Sequence, residues 1–162
     1  MHIQMTMEQE KIKTCAFTGH RELEQGFDPS VVKKEIENLI ERGVDTFFNG
    51  MALGFDMLTA EIVLLLKKKY KHIRLIVCIP YLGQEKYYGA EDKKRYVKIL
   101  SKADEKVCLS DGYYKGCMLA RDRYMADRAD VLFAYCRKNT GGTAYTLSYF
   151  KNKYPLKEIV LV

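Results

Sequence analysis

Short apolar runs alternate with longer amphipathic segments along most of the chain. The apolar runs predict six strands, at Thr14–Thr18, Val44–Phe48, Ile73–Ile79, Lys106–Ser110, Asp130–Tyr135 and Glu158–Val162. The segments between them predict five helices, near Pro29–Arg42, Asp56–Tyr70, Glu91–Lys102, Cys117–Asp127 and Thr143–Lys153. Strands and helices in strict alternation are typical of a parallel sheet that is covered by helices on both faces. We therefore predict an α/β fold with a doubly wound, mostly parallel sheet of about six strands.

The first helix has the clearest boundaries. Asp28 is expected to cap its N-terminus, Pro29 fits its first position, and Gly43 marks its end. No repeat or linker divides the remaining sequence, and 162 residues are the usual size of one domain. We expect a flexible leader at residues 1–12 and a single Rossmann-like domain at residues 13–162.

The placement of glycine indicates which edge of the sheet binds a ligand. Of the 11 glycines, only Gly43 lies in a helix-to-strand connection, and the others lie in strand-to-helix connections. In a doubly wound sheet these connections meet at one edge, where glycine lets the backbone approach a ligand and helix N–H groups face an anion. The carboxyl edge of the sheet is therefore the expected binding site. The expected ligand-binding residues there are Thr18, Gly19, His20, Arg21, Asn49, Gly50, Gly54, Asp56, Pro80, Arg123, Gly141, Gly142 and Thr143.

The segment NTGGTAYT, at Asn139–Thr146, has the pattern best suited to phosphate. Two glycines and a threonine open the last helix, so exposed N–H groups and the positive end of the helix dipole coincide. The dinucleotide fingerprint GxGxxG is absent, which argues against an ordinary dehydrogenase.

Structural roles compete with binding roles at several of these positions. Asp56 is most simply a helix N-cap. Glu61 lies in a mostly apolar helix, where a carboxylate either needs a partner or points to solvent. Tyr81, Tyr87 and Tyr88 suit base stacking and core packing beneath a loop equally well.

Charge and composition narrow the class of protein. A net charge of +6 is compatible with nucleic-acid binding, but the lysines gather at helix ends, as in Lys67–His72, which favours a solvated basic surface. The five cysteines lack metal-binding spacing and are expected to be reduced, three of them as small core residues within strands. No apolar run reaches the length of a membrane span, and the first residues lack the apolar core of a signal peptide. We expect a cytoplasmic protein that has no metal site, requires no cofactor and has no membrane partner.

The motifs TGHRE, NGMALGFDMLTAE, IPYLGQE, RDRYMADRADVL and NTGGTAYT, in this order, resemble the YpsA-type branch of the SLOG superfamily. This Rossmann-like group includes the LOG nucleotide hydrolases and DprA. The resemblance extends from Cys15 to the C-terminus. It implies a doubly wound domain that binds a nucleotide or a nucleotide-derived ligand at the glycine-rich edge, without implying a particular reaction.

The resemblance leaves the question of catalysis open. LOG hydrolases use an arginine before the fifth strand and a glutamate in the last motif to release the base from a nucleoside monophosphate. Arg123 matches the arginine, whereas Thr146 stands in place of the glutamate. A neutral hydroxyl stabilises positive charge on the sugar poorly compared with a carboxylate. Catalytic candidates are therefore Arg123, Glu61 and Asp56, with Asp122 as a further carboxylate that lies near the site.

We expect a domain that binds or senses a small phosphorylated, nucleotide-derived ligand. The glycines and Thr143 would form a backbone cradle, and His20, Arg21 and Arg123 would neutralise phosphate. A nucleotide N-glycosidase is the first alternative, and a DprA-like binder of single-stranded DNA ranks below it. The sequence leaves open whether the chain forms a homodimer.

Overall fold

The structure is a computed structural model that describes residues 11–162. Its strands are β1 (Thr14–Gly19), β2 (Thr46–Asn49), β3 (Arg74–Ile79), β4 (Glu105–Cys108), β5 (Val131–Tyr135) and β6 (Glu158–Leu161). Its helices are α1 (Pro29–Glu41), α2 (Phe55–Lys67), α3 (Ala90–Lys102), α4 (Cys117–Arg128) and α5 (Gly142–Lys153). A short 3-10 helix at Gln84–Tyr87, which the sequence pattern did not indicate, precedes α3.

All strand pairs in the sheet are parallel, in the order β4-β3-β2-β1-β5-β6. The chain runs outward from β1 to β4, then crosses back through α4 and places β5 beside β1, with Gly19 paired to Tyr135. The direction of winding therefore changes between β1 and β5. In doubly wound sheets, a change of this kind leaves a crevice at the carboxyl ends of the strands. The predicted fold class is confirmed.

Two apolar layers cover the sheet. Successive strand residues point to opposite faces, so Phe17 packs with α1, α2 and α3 on one side. Its neighbour Ala16 packs with α4 and α5 on the other side. Aromatic pairs connect neighbouring strands within one layer, as where the rings of Phe17 on β1 and Phe133 on β5 lie 5.4 Å apart. Both faces of the central strands are buried, which explains their continuous apolar sequence.

The structure confirms the boundaries of α1. Asp28 Oδ1 accepts a hydrogen bond from the Ser30 backbone N–H over 3.0 Å, as an N-cap does. Gly43 has a φ of 117°, a conformation that side-chain-bearing residues rarely adopt, and the chain turns there towards β2. Of the leader expected at residues 1–12, residues 1–10 lie outside the described part, and Ile12 is buried in the core.

The strand cysteines differ in burial. Cys15 and Cys78 are buried, as expected for core residues, but Cys108 is exposed, so that expectation was wrong for Cys108. The reason is its position on β4, which is an edge strand covered less completely than the central strands. Within residues 11–162, no helix combines the length and the apolar character that a membrane crossing requires.

Candidate ligand-binding cleft

A cleft of about 630 Å³ opens where β1 and β5 end. Its walls come from the loop after β1, the start of α2, the first turns of α4 and the loop that leads into α5. This is the crevice that the sheet topology predicts. The residues that line it are Phe17, Thr18, Gly19, His20, Arg21, Glu22, Leu23, Glu24, Ala52, Asp56, Met118, Arg121, Asp122, Tyr135, Arg137, Lys138, Thr140, Gly141, Gly142 and Thr143.

The N-terminus of α5 forms an open side of the cleft. Gly141 has a φ of 96° and caps the helix without a side-chain hydrogen bond. A Cβ atom added at Gly141 or Gly142 would meet no other atom within 4 Å, so the protein leaves this backbone uncovered. Free N–H groups at a helix start attract anions, and the cation Lys138 also lines the cleft.

Arg137 joins the loop after β5 to the loop after β1. Its Nε donates to Glu24 Oε1 over 3.1 Å, and its guanidinium lies over the Tyr135 ring at 4.6 Å. The Tyr135 hydroxyl in turn accepts the Glu24 backbone N–H over 3.0 Å. These contacts fix one wall of the cleft and leave Arg21, which is exposed, as an additional cation there.

His20 lies in this wall as a neutral imidazole. Its Nε2 accepts the Arg137 backbone N–H over 2.7 Å, so the proton of the ring is on Nδ1. Burial and the nearby cations Lys138 and Arg137 lower the pKa of His20 below its ordinary value. Both observations favour the uncharged form of His20, whose remaining ring N–H is on Nδ1.

Arg121 is the buried cation of the site, with 4% of its surface exposed. Its Nε donates to Asp122 Oδ1 over 2.7 Å, and its Nη1 donates to the Gly50 carbonyl oxygen. Burial disfavours the charge, but the carboxylates of Asp122 and Asp56 outweigh it and raise the pKa of Arg121. A Cβ atom at residue 50 would lie 2.5 Å from Arg121 Nη1, so glycine is needed there to admit the guanidinium.

Asp56 is the second residue of α2, and the expectation that it is the N-cap was wrong, because Gly54 occupies that position. Its Oδ2 accepts the Ala52 N–H over 3.3 Å, whereas Oδ1 has no hydrogen-bond partner within the described residues. Only 5% of the residue is exposed, and burial raises the pKa of the Asp56 carboxyl to about 7, against the lowering effect of Arg121. Buried polar atoms without a partner are rare in folded proteins, and Asp56 is one of the residues that line the cleft.

Three other motif residues shape the cleft from behind. A Cβ atom at Gly19 would lie 2.4 Å from the Phe55 ring, and one at Gly54 would lie 2.0 Å from the Arg21 carbonyl oxygen. These glycines let the loop after β1 pack directly on α2. The amide of Asn49 donates to the Asp56 carbonyl oxygen over 2.7 Å and so positions the start of α2.

The structure brings some of the expected site residues together and separates others. Within the described residues, eight of the expected ligand-binding positions line the cleft: Thr18, Gly19, His20, Arg21, Asp56, Gly141, Gly142 and Thr143. Asn49, Gly50, Gly54, Pro80 and Arg123 do not line it, and neither does the catalytic candidate Glu61. Pro80 is buried, Arg123 Nη1 donates to the Tyr145 hydroxyl over 3.1 Å, and Glu61 pairs with Arg95.

Helix periodicity explains why Arg121, rather than Arg123, enters the cleft. Met118 and Arg121 are three residues apart on α4, so both lie on the helix face that lines the cleft, whereas residue 123 lies on another face. The loop residues Arg137, Lys138 and Thr140 were also absent from the sequence-based set, because an irregular loop has no period that orients its side chains. Within residues 11–162, no cluster of three or more His, Cys, Asp or Glu side chains could hold a metal ion.

Relatives with similar sequences are known from bacteria. A UPF0398 protein from Halalkalibacterium halodurans is 30% identical over 155 residues, which cover 88% of this chain and 82% of that protein. The uncharacterized SPbeta prophage-derived protein YoqJ from Bacillus subtilis is 32% identical over 120 residues, which cover 67% of this chain and 70% of that protein.

Solved structures with a similar fold include DNA processing protein A from Helicobacter pylori, described for its single-stranded DNA binding mode. It aligns with a TM-score of 0.67 and 20% identity over 95% of this chain and 67% of that chain. DNA processing protein A from Streptococcus pneumoniae aligns with a TM-score of 0.53 and 16% identity, over 96% of this chain and 60% of that chain. At these identities the similarity establishes a common fold.

The family comparison agrees with the motifs and with the fold. The model of the YpsA family, described as the YspA SLOG family, matches residues 15–160. This range contains every strand of the sheet apart from the first residue of β1 and the last residue of β6, and it contains the whole cleft. The chain belongs to the YpsA family of SLOG proteins.

Proposed function

We propose that this chain is a binding domain that senses a nucleotide or a nucleotide-derived phosphorylated small molecule. The observation that carries the proposal is the uncovered start of α5, where Gly141 and Gly142 line the cleft with no side chain against them. A phosphate there would accept backbone N–H groups at the positive end of the helix dipole. Lys138 and Arg21, which line the same cleft, would add positive charge.

Asp56 is a hydrogen-bond acceptor, whereas the start of α5 presents N–H donors, so the two features together narrow the kind of ligand. Its unpartnered Oδ1 would bind a hydrogen-bond donor, such as a ribose hydroxyl. A nucleotide carries both groups, an anionic phosphate and a sugar with donor hydroxyls. The cleft volume of about 630 Å³ falls in the usual range for small-molecule sites, and the proposal requires no metal or cofactor.

Ligand-induced stabilisation tests the proposal. The unfolding temperature and the calorimetric affinity would be measured with AMP, ADP-ribose, NAD and inorganic phosphate. A ligand at 100 times its Kd should stabilise the fold by about 2.7 kcal/mol, which raises the unfolding temperature by several degrees. Lys138→Ala should weaken binding, whereas Lys34→Ala, on the exposed side of α1, should leave it unchanged. A folded sample that responds to none of these compounds would refute the proposal.

A nucleotide N-glycosidase is the second candidate, and one contact favours it. Asp122 lines the cleft and accepts a hydrogen bond from the Thr146 hydroxyl over 3.2 Å, so a carboxylate lies beside the position at which LOG hydrolases have glutamate. In this reaction the bond between ribose C1′ and the base nitrogen breaks, and a bond from water oxygen to C1′ forms. The bonding electrons leave with the base, which takes up one proton. The attacking water loses one proton, and its other hydrogen stays on the new C1′ hydroxyl.

Base release from nucleoside monophosphates separates the two candidates. A hydrolase should liberate free base, and Asp122→Asn should abolish this while AMP still binds. If Asp122→Asn fails to fold, Asp56→Asn takes its place in the same assay. A wild-type protein that binds AMP but releases no base is a binding domain.

A further inference from the structure

A groove between α2 and α3 lies apart from the cleft and shares no lining residue with it. Its volume is about 430 Å³, and its lining residues are Glu61, Leu64, Leu65, Lys67, Lys68, Arg95, Lys98, Ile99 and Lys102. Apart from Lys67, each helix contributes positions i, i+3, i+4 and i+7, which form a single helix face. The groove therefore lies between one face of α2 and the facing side of α3.

The floor of this groove is apolar. Leu65 is 49% exposed, Leu64 is half-buried, and Ile99 closes the groove from α3 with 2% of its surface exposed. Neighbouring α2 residues such as Val63 and Leu66 already pack in the core, so the exposed leucine contributes little to it. A single exposed leucine is ordinary in a folded protein, but apolar side chains grouped in a concave surface are typical of an interaction site.

The two ends of the groove differ in charge. At one end, both Glu61 carboxylate oxygens accept from Arg95, over 2.5 and 3.4 Å, so these charges offset each other. At the other end, Lys68, Lys98 and Lys102 form no ion pair within residues 11–162. Lysines at a helix C-terminus complement the helix dipole, but Lys98 precedes the last turn of α3. The helix dipole therefore does not account for all of the unpaired positive charge in the groove.

We propose that this groove binds an acidic amphipathic helix of a partner protein. Its walls extend for about two helical turns, roughly 11 Å, so a helix with apolar residues at i, i+3 or i+4, and i+7 would fill the floor. Acidic residues beside that stripe would pair with the three lysines. Two copies of this chain joined groove to groove would place lysines against lysines, and a flat membrane surface would not fill a concave groove.

A synthetic peptide is the probe that tests this site. It would be a fluorescent helix of about 15 residues with a leucine stripe at that spacing and glutamate at the flanking positions. We expect fluorescence anisotropy to show binding that weakens as salt rises from about 50 to 300 mM. Leu65→Asp, and the double variant Lys98→Glu with Lys102→Glu, should each weaken binding by about tenfold or more. Val31→Asp, at a half-exposed valine of α1, should bind like the wild type.

Two further probes distinguish a groove from a merely basic surface. A peptide that keeps its glutamates but has serine in place of leucine should bind at least about tenfold more weakly. Circular dichroism must show that each variant is folded. Equal binding of the serine peptide, or no loss with folded Leu65→Asp, would overturn the proposal. Vesicles that contain phosphatidylserine provide the other probe. The proposal would also be overturned if the wild type bound these vesicles, Leu65→Asp bound them more weakly, and the leucine peptide did not bind.

Discussion

The Thr146 hydroxyl on α5 lies 3.2 Å from Asp122 Oδ2 on α4, within hydrogen-bond distance, and 2.8 Å from the Gly142 carbonyl oxygen of its own helix. The other oxygen of Asp122 accepts from the Arg121 guanidinium over 2.7 Å. The resemblance to LOG hydrolases predicts that Thr146 stands at the position of their glutamate, and the Asp122 carboxylate of the neighbouring helix lies beside it. That carboxylate is also the counter-charge of the buried arginine in the cleft.

Removal of this counter-charge should destabilise the fold. Asp122→Ala leaves the Arg121 guanidinium buried with mainly carbonyl acceptors, and breaking a buried pair typically costs about 3 kcal/mol or more. Urea denaturation would measure the loss. The matched control is Asp92→Ala, which breaks the half-exposed pair with Arg95 and should cost no more than about 1 kcal/mol. Equal losses in the two variants would show that the Arg121 pair contributes no more than a surface pair.

Gly50→Ala should also destabilise the protein, because a Cβ atom at that position would lie 2.5 Å from Arg121 Nη1. The guanidinium is enclosed and has little room to move, so we expect a loss of about 1–3 kcal/mol, as for other overpacked sites. The control is Gly112→Ala, where an added Cβ atom would meet nothing within 4 Å. A Gly50→Ala variant as stable as the wild type would mean that Arg121 can take another position.

Sequence periodicity was sufficient for the fold because the central strands β1, β2, β3 and β5 are largely buried on both faces and the helices pack against the sheet through an apolar face. Within residues 11–162, the pattern placed the six strands and the five α-helices, although the second helix ends at Lys67 rather than Tyr70, and it missed the 3-10 helix at Gln84–Tyr87. It also located the edge at which the cleft opens, since strand-to-helix loops of a doubly wound sheet must share one edge.

The individual side chains of the site were harder to predict. Glycines at residues 19, 50 and 54 matched a ligand cradle in sequence. In the structure they accommodate Phe55, Arg121 and the Arg21 carbonyl, and of the three only Gly19 also lines the cleft. Sequence spacing shows that a glycine permits close approach without showing whether a ligand or another part of the chain approaches. Contacts between distant segments decide this, and they follow from packing rather than from local pattern.

The third prediction concerns the hydrogen bond between Tyr135 and Glu24 in the wall of the cleft. The Tyr135 hydroxyl accepts the Glu24 N–H over 3.0 Å and ties the loop after β1 to the sheet. Tyr135→Phe keeps the ring packing and removes only this acceptor, so we expect a loss of about 0.5–1.5 kcal/mol. Hydrogen exchange should become faster at the Glu24 amide, whereas the amides of β3 should keep their protection. An unchanged rate at Glu24 would show that other contacts of the loop suffice.

The buried carboxyl of Asp56 predicts an unusual pH dependence. Burial raises its pKa from 3.8 to about 7, so the folded state holds a proton that the unfolded state releases between these values. The unfolded state then binds fewer protons, and the contribution of Asp56 to stability decreases as pH rises from about 4 to 7. Above pH 7 the folded carboxyl is charged as well, and the decrease ends.

Asp56→Asn isolates this contribution, because the amide has a similar shape and does not titrate. Relative to the wild type, the variant should gain stability steadily from pH 4 to pH 7, by up to about 4 kcal/mol if the whole pKa shift persists. The difference in unfolding free energy between the two proteins, measured by urea denaturation at each pH, removes the effect of all other titrating groups. A difference that stays constant across this range would mean that Asp56 is ionised in the folded protein, with Arg121 outweighing burial. An Asp56 that is charged throughout would also favour a cationic ligand group over a neutral hydroxyl at Oδ1.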